Sequence, residues 1–158
     1  MTKVANCLWF NGVAEDAAKF YVSLFPGAAI TATSRYGAGA PFTAGTALVV
    51  EFNLAGQRYQ ALNGGPHYTL SEAFSLSISC QDAAEVDHYW QALTADGGTE
   101  GRCGWLKDRY GVSWQVVPEG MGALLSDPDR ARAGRAMQAM MKMNKLDLDA
   151  MRAAADAA

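Results

Sequence analysis

The chain has 158 residues, half of them apolar, and carries a net charge of −3. That length suits one domain or two small modules sharing a core, and the charge offers nothing to a nucleic-acid backbone or an anionic membrane. No apolar run approaches a membrane span, no signal-peptide core follows residues 1–5, and Cys7, Cys80 and Cys103 are odd in number and far apart, which predicts reduced thiols in a cytoplasmic protein.

A short apolar strand is expected over 4–10, turned by Asn11-Gly12. Residues 14–25 have helical period, with Ala14, Ala17, Ala18, Tyr21, Leu24 and Phe25 on one face, and Pro26-Gly27 stops them. A strand rich in β-branched residues follows over 29–36, then a glycine- and proline-bearing loop over 37–45. Residues 46–54 alternate, with Leu48, Val50, Phe52 and Leu54 on one face and Val49, Glu51 and Asn53 on the other. Ala55-Gly56 turns this strand into another over 58–62. The first module is therefore β-α-β-β-β, about 4–63, and 63–67 links it to the second half of the chain.

The order then restarts. A strand is expected over 73–79, and Asp82 with Glu85 three residues on forms a capping box for a helix whose buried stripe is Val86, Trp90 and Leu93. Gly97-Gly98 ends that helix. The stretch Cys103-Gly-Trp-Leu-Lys-Asp-Arg-Tyr-Gly-Val-Ser-Trp-Gln-Val-Val-Pro118 is a β-hairpin around a Lys-Asp-Arg-Tyr-Gly turn. Gly111-Val-Ser-Trp-Gln-Val-Val repeats the shape of Gly56-Gln-Arg-Tyr-Gln-Ala-Leu at an offset of 55, and Phe20-Tyr21 aligns with Tyr89-Trp90 at an offset of 69. The second module spans about 73–118, so the two copies occupy a domain over 1–126.

A helical extension is expected over 127–158. Asp127-Pro128 opens a helix with proline in its first turn, on which Ala133, Met137, Met140 and Met141 share a packing face, and Asp147 caps a last helix over 148–157. The methionine stripe and the edges of half-barrel modules predict a homodimer.

Two tandem β-α-β-β-β modules give an α+β fold that resembles the vicinal oxygen chelate superfamily of glyoxalases, bleomycin-resistance proteins and extradiol dioxygenases. The strings Leu8-Trp-Phe-Asn-Gly, Ala61-Leu-Asn-Gly-Gly-Pro and Cys103-Gly-Trp-Leu-Lys-Asp, with the Gly111–Pro118 run, resemble its PhnB-like branch, which carries the label demethylubiquinone methyltransferase. The resemblance implies open half-barrels and a divalent metal held by His and Glu on the first and last strand of each module. Those positions fall here at Asn6, Ser75, Gln60 and Gln115, which are neutral, weak ligands, so no catalytic metal and no cofactor is expected.

Two readings of this polar set stay open: it orients a neutral polar ligand in an apolar pocket, or its amides satisfy one another and water. Glu51 is either a cavity carboxylate fit for general-base work or a rim carboxylate paired with Arg35 or Arg58. Trp105 and Trp114 either wall the pocket or pack in the core. His88 on the second helix and His67 in the linker read as surface residues, and Cys103, near Arg102 and Lys107, as a buried strand residue. Function divides between a metal-free small-molecule binder, a metal-dependent lyase, isomerase or dioxygenase, and the methyltransferase of the branch label. For the last, Gly37-Ala-Gly39 lies between two strands and not between strand and helix.

Overall fold

The computed structural model describes residues 3–157. The chain forms two compact units that divide between Leu70 and Ser71. Both are mixed α+β, and each contains one open four-stranded sheet.

In the first unit, β1 (Asn6–Phe10), α1 (Ala14–Leu24), β2 (Ala29–Arg35), β3 (Ala47–Leu54) and β4 (Gln57–Asn63) follow in the expected order. The sheet order is β1-β4-β3-β2, with β1 parallel to β4 and the other pairs antiparallel. Ala14, Ala17, Ala18 and Tyr21 of α1 are buried, and they face Leu8, Phe10, Val50, Phe52, Tyr59 and Ala61 of the core. Tyr21, Phe52 and Tyr59 run through that core as an aromatic file, with Phe52 and Tyr59 stacked at 5.3 Å.

Val13 gives α1 no side-chain cap. Asn63, 1% exposed at the end of β4, supplies the missing acceptor: its Oδ1 takes the N–H groups of Gly12 and Ala14, at 2.8 and 3.1 Å, while its Nδ2 donates to Ala47 O at 2.9 Å. One buried amide thus ties helix start, last strand and third strand together.

In the second unit, β5 (Leu76–Cys80), α2 (Ala83–Thr94), β6 (Thr99–Glu100), β7 (Trp105–Lys107) and β8 (Ser113–Pro118) repeat the plan in the order β5-β8-β7-β6. The strand expected from 73 begins only at Leu76, because residues 72–74 turn and bend. Asp82 caps α2 by accepting from Glu85 N at 2.8 Å, but Glu85 reaches back to Gln81 N at 2.6 Å. The reciprocal bond of a capping box is therefore displaced by one residue.

Three helices complete this unit: α3 (Met121–Leu125), α4 (Arg130–Met140) and α5 (Leu148–Asp156). Pro128 stays outside α4, whose cap is Asp129, accepting from Ala131 N and Arg132 N. Asp147 caps α5 as expected, through Ala150 N at 2.9 Å. The methionine face expected on α4 is only partly buried. Its packed stripe runs through Ala133, Ala136 and Met140, joining Leu124, Leu146, Met143, Met151 and Ala155 in a small core, while Met137 and Met141 stay exposed at 39% and 62%. At about 100° per residue, Met137 and Met141 fall on the side of Ala133 away from Ala136 and Met140, so the packed stripe passes beside them. No helix among the described residues is long and apolar enough to cross a membrane.

Candidate functional site

In each unit, strand alternation separates a helix-covered face from a second face, and neighbouring strands decide which side chains stand together there. In the first unit Cys7 is level with Gln60, and Gln60 with Glu51. Gln60 Nε2 donates to Glu51 Oε1 at 3.2 Å, and Arg58 Nη2 lies 3.8 Å from Glu51 Oε2. Glu51 keeps 37% of its side chain exposed, so it is a half-open carboxylate held between an amide and a guanidinium.

Asn6 does not join this row. It is level with Tyr59 and shares the helix-covered face with Leu8 and Phe10. Its side chain bonds the Tyr59 hydroxyl, whose pKa is raised by burial and only partly restored by that bond. The residue beside Gln60 is Cys7, whose pKa is raised by desolvation, so its thiol stays protonated at neutral pH.

The cause of this slip is local. The helices repeat at an offset of 69, with buried Tyr21 aligned on buried Trp90, but the first strands repeat at 70, with Cys7:Gln60 matching Ser77:Gln115. The connection from β5 to α2 is one residue shorter than that from β1 to α1. A one-residue error on a strand moves a side chain to the other face.

In the second unit the corresponding face carries Ser75, Ser77 and Ser79 beside Gln115 and Val117, with Trp105 level with Gln115 and Lys107 level with Ser113. Gln115 Nε2 donates to Ser75 Oγ at 2.9 Å. Trp105, Lys107, Ser113, Thr99 and Glu72 line a cavity of about 210 Å³. Lys107 Nζ donates to Glu72 Oε1 at 2.5 Å across its edge. Ser113 is 2% exposed and its Oγ has no hydrogen-bond partner among the described residues, a deficit worth roughly 1–3 kcal/mol. Sequence reasoning passed over Ser113, Lys107, Glu72 and Cys7. Alternation outward from Gln115 points to the first two.

Trp114 belongs to the core. It is 1% exposed on the helix side and donates Nε1 to Asp108 Oδ2 at 2.8 Å. Cys103 sits in a turn at φ 57°, where its N–H donates to Met143 O at 2.8 Å, and it is not a strand residue. His67 and His88 are exposed, His88 lying edge-on to its neighbour Tyr89.

Residues 2–117 match the model of the 3-demethylubiquinone-9 3-methyltransferase family. The chain belongs to that family. Among solved structures, the PhnB protein of Bacillus cereus is 32% identical with a TM-score of 0.69, over 74% of this chain and 99% of that one. A protein of Pseudomonas aeruginosa, 21% identical with a TM-score of 0.61, covers 75% of this chain and 98% of its own, and shares the fold. A glyoxalase/bleomycin resistance protein from Albidiferax ferrireducens is 18% identical with a TM-score of 0.47, over 75% of this chain and all of that one. No curated protein matches the chain.

For this member of the 3-demethylubiquinone-9 3-methyltransferase family, the residues present fit neither a catalytic metal nor a methyl-donor site of the strand-turn-helix kind. The positions level across first and last strands are Cys7 with Gln60 and Ser77 with Gln115, and no group of three or more His, Cys, Asp or Glu side chains converges among the described residues. Two amides, a hydroxyl and a thiol whose ionisation is disfavoured by burial are poor replacements for imidazole and carboxylate around a divalent ion. At the two strand-to-helix turns, the Gly12 and Ala14 N–H groups are taken by Asn63, and Gln81 N by Glu85. Gly37 and Gly39 lie between antiparallel β2 and β3.

Proposed function

We propose that the protein binds a small polar organic molecule against the helix-free faces of its sheets, without a catalytic metal, and that Glu51 is the group able to move a proton there. The observation that carries this reading is the recurrence of a last-strand glutamine on that face in both units. Each glutamine spends one N–H on a same-face neighbour, Glu51 or Ser75, and keeps its amide oxygen to accept. Gln60, Gln115, Ser75 and Trp105 form the ligand contacts in this reading. Asn6 is left to position Tyr59. We take the repeat-bearing part, residues 1–126, as the functional domain and 127–158 as an extension that buttresses it. Three free thiols accord with a reducing, cytoplasmic setting, and a homodimer remains the expected assembly.

Methyl transfer enters only through the family description, and the occupied N–H groups at both strand-to-helix turns weigh against it. A metal-dependent lyase, isomerase or dioxygenase would need ligands that these faces lack.

The test is a thermal-shift screen of neutral polar compounds and S-adenosylmethionine on the parent, Gln60→Leu, Gln115→Leu and Glu51→Gln. A compound that stabilises the parent should lose its effect in the leucine variants. If that compound is converted, Glu51→Gln should bind it and react on the order of 10²–10⁴ more slowly. Stabilisation by S-adenosylmethionine that survives both leucine substitutions would overturn the reading, and so would a screen in which no compound depends on either glutamine.

A further inference from the structure

We propose that the cavity beside β7 takes a small zwitterion of the α-amino acid type, with the ligand carboxylate on Lys107 and Ser113 and its ammonium on Glu72. The inference rests on the ligand-binding reading of the helix-free faces and specifies the chemistry of one of them.

Four observations converge on this cavity. Lys107 and Ser113 are level on adjacent strands, and Trp105 and Gln115 form the next level along, so ammonium, hydroxyl, indole and amide stand on one face. Ser113 Oγ is buried and without a partner, although Ser113 lines the cavity. The Lys107–Glu72 pair spans the rim, with 38% and 65% of the two side chains exposed, so water screens it and it opens at little cost. The charges facing the cavity balance. Glu100, which also borders it, is level with Leu106 and turns its carboxylate to the helix side, where it accepts from Trp90 Nε1 and Asn144 Nδ2.

Charge and size select the ligand class. A simple anion would gain Lys107 and leave Glu72 beside it, a like charge without a partner. A simple cation would strand Lys107 in the same way. A zwitterion inserts into the pair head to tail, so that each charge on the protein keeps an opposite partner, while its carboxylate also accepts the Ser113 hydroxyl. About 210 Å³ accommodates an amino acid with a short apolar side chain against Trp105, and little more.

The experiment compares matched trios on the full chain by calorimetry: leucine, 4-methylpentanoate and 3-methylbutylamine, then phenylalanine, 3-phenylpropanoate and phenethylamine. At least one amino acid should bind, with its acid and its amine each at least 10-fold weaker. Lys107→Met and Glu72→Gln should each weaken the amino acid at least 10-fold with unfolding midpoints near that of the parent, and Ser113→Ala, which removes the unpaired hydroxyl, should weaken it several-fold without lowering the midpoint. The cavity is a simple anion or cation site, and the proposal is wrong, if the acid or the amine binds as tightly as the amino acid. It is equally wrong if no amino acid binds, or if binding ignores Lys107 and Glu72. Neutral compounds whose stabilisation still depends on Gln60 or Gln115 would then show that the broader reading stands.

Discussion

Asp108 holds the turn of the β7–β8 hairpin. It is 3% exposed, and its carboxylate accepts from Tyr110 N, Val112 N and Trp114 Nε1 at 2.8, 3.0 and 2.8 Å. Removing it leaves three donors without their acceptor, so Asp108→Ala should lower stability by roughly 3 kcal/mol or more, read by urea denaturation. Asp108→Asn keeps an acceptor and should cost clearly less. Glu15 is a surface counterpart. Bidentate Arg35, with Lys19 beside it, holds its carboxyl near a pKa of about 2. The folded value lies below the unfolded one, so this stabilisation is present above about pH 4.5 and is lost as pH falls towards 2. Arg35→Gln should therefore flatten the drop in melting temperature across that window, and high salt should do part of the same. At the β3–β4 turn, Ala55 and Gly56 have φ of 47° and 81°, a pair of positive values that only glycine adopts without strain. Ala55→Gly should hold or raise stability, by up to about 1 kcal/mol, where most glycine substitutions lower it.

At the scale of elements, the tail docks on the second module through a glycine. A Cβ on Gly104 would stand 2.7 Å from Leu146 Cδ1 and 2.8 Å from Val116 O, and the backbone φ of +83° is unfavourable to other residues as well. Gly104 N donates to Asn144 O at 2.7 Å, so the turn both seats Leu146 and bonds the strap that carries it. Gly104→Ala should cost about 1–3 kcal/mol and open the segment around Leu146 to limited proteolysis before the sheets unfold. The order of strands and helices was legible in the sequence because apolar period and turn residues act locally. Pro26-Gly27, Ala55-Gly56 and Asp82 all mark real boundaries. The face on which Asn6 stands was not legible, because it depends on one residue in the β1–α1 connection. Nor was the Asn63 cap of α1, whose partners lie about 50 residues away. The hydroxyl of Ser113 looked ordinary in sequence, since only burial distinguishes it. Helical spacing placed Met137 and Met141 near the packed face, but it could not tell that the stripe is centred on the Ala136 side of Ala133 and leaves both methionines at its edge.

For the whole molecule, a polar set built on Gln60, Gln115, Cys7 and Ser77 predicts well under one equivalent of divalent metal in purified protein. Elemental analysis finding stoichiometric zinc, iron, nickel or manganese, removable by chelator, would contradict it. Light scattering of the full chain should give a dimer, and charge at the exposed Met137 and Met141, as in Met137→Glu with Met141→Glu, should weaken it. A monomer at micromolar concentration, or a dimer indifferent to both changes, would remove the methionines from the contact. The parallel pairing of β1 with β4 also sets a timetable. During synthesis at about 5–20 residues per second, the strand bearing Leu8 and Phe10 leaves the ribosome several seconds before the strand it must join. Until then its apolar side chains have only α1 to cover them. The second module repeats the delay with β5 and β8, and α5 must be made before Met151 and Ala155 can enter the small core around Leu124. Each unit is thus completed by its own last segment, and a ribosome stalled just short of β4 or of α5 would present a chain with its apolar surfaces made and their covers missing.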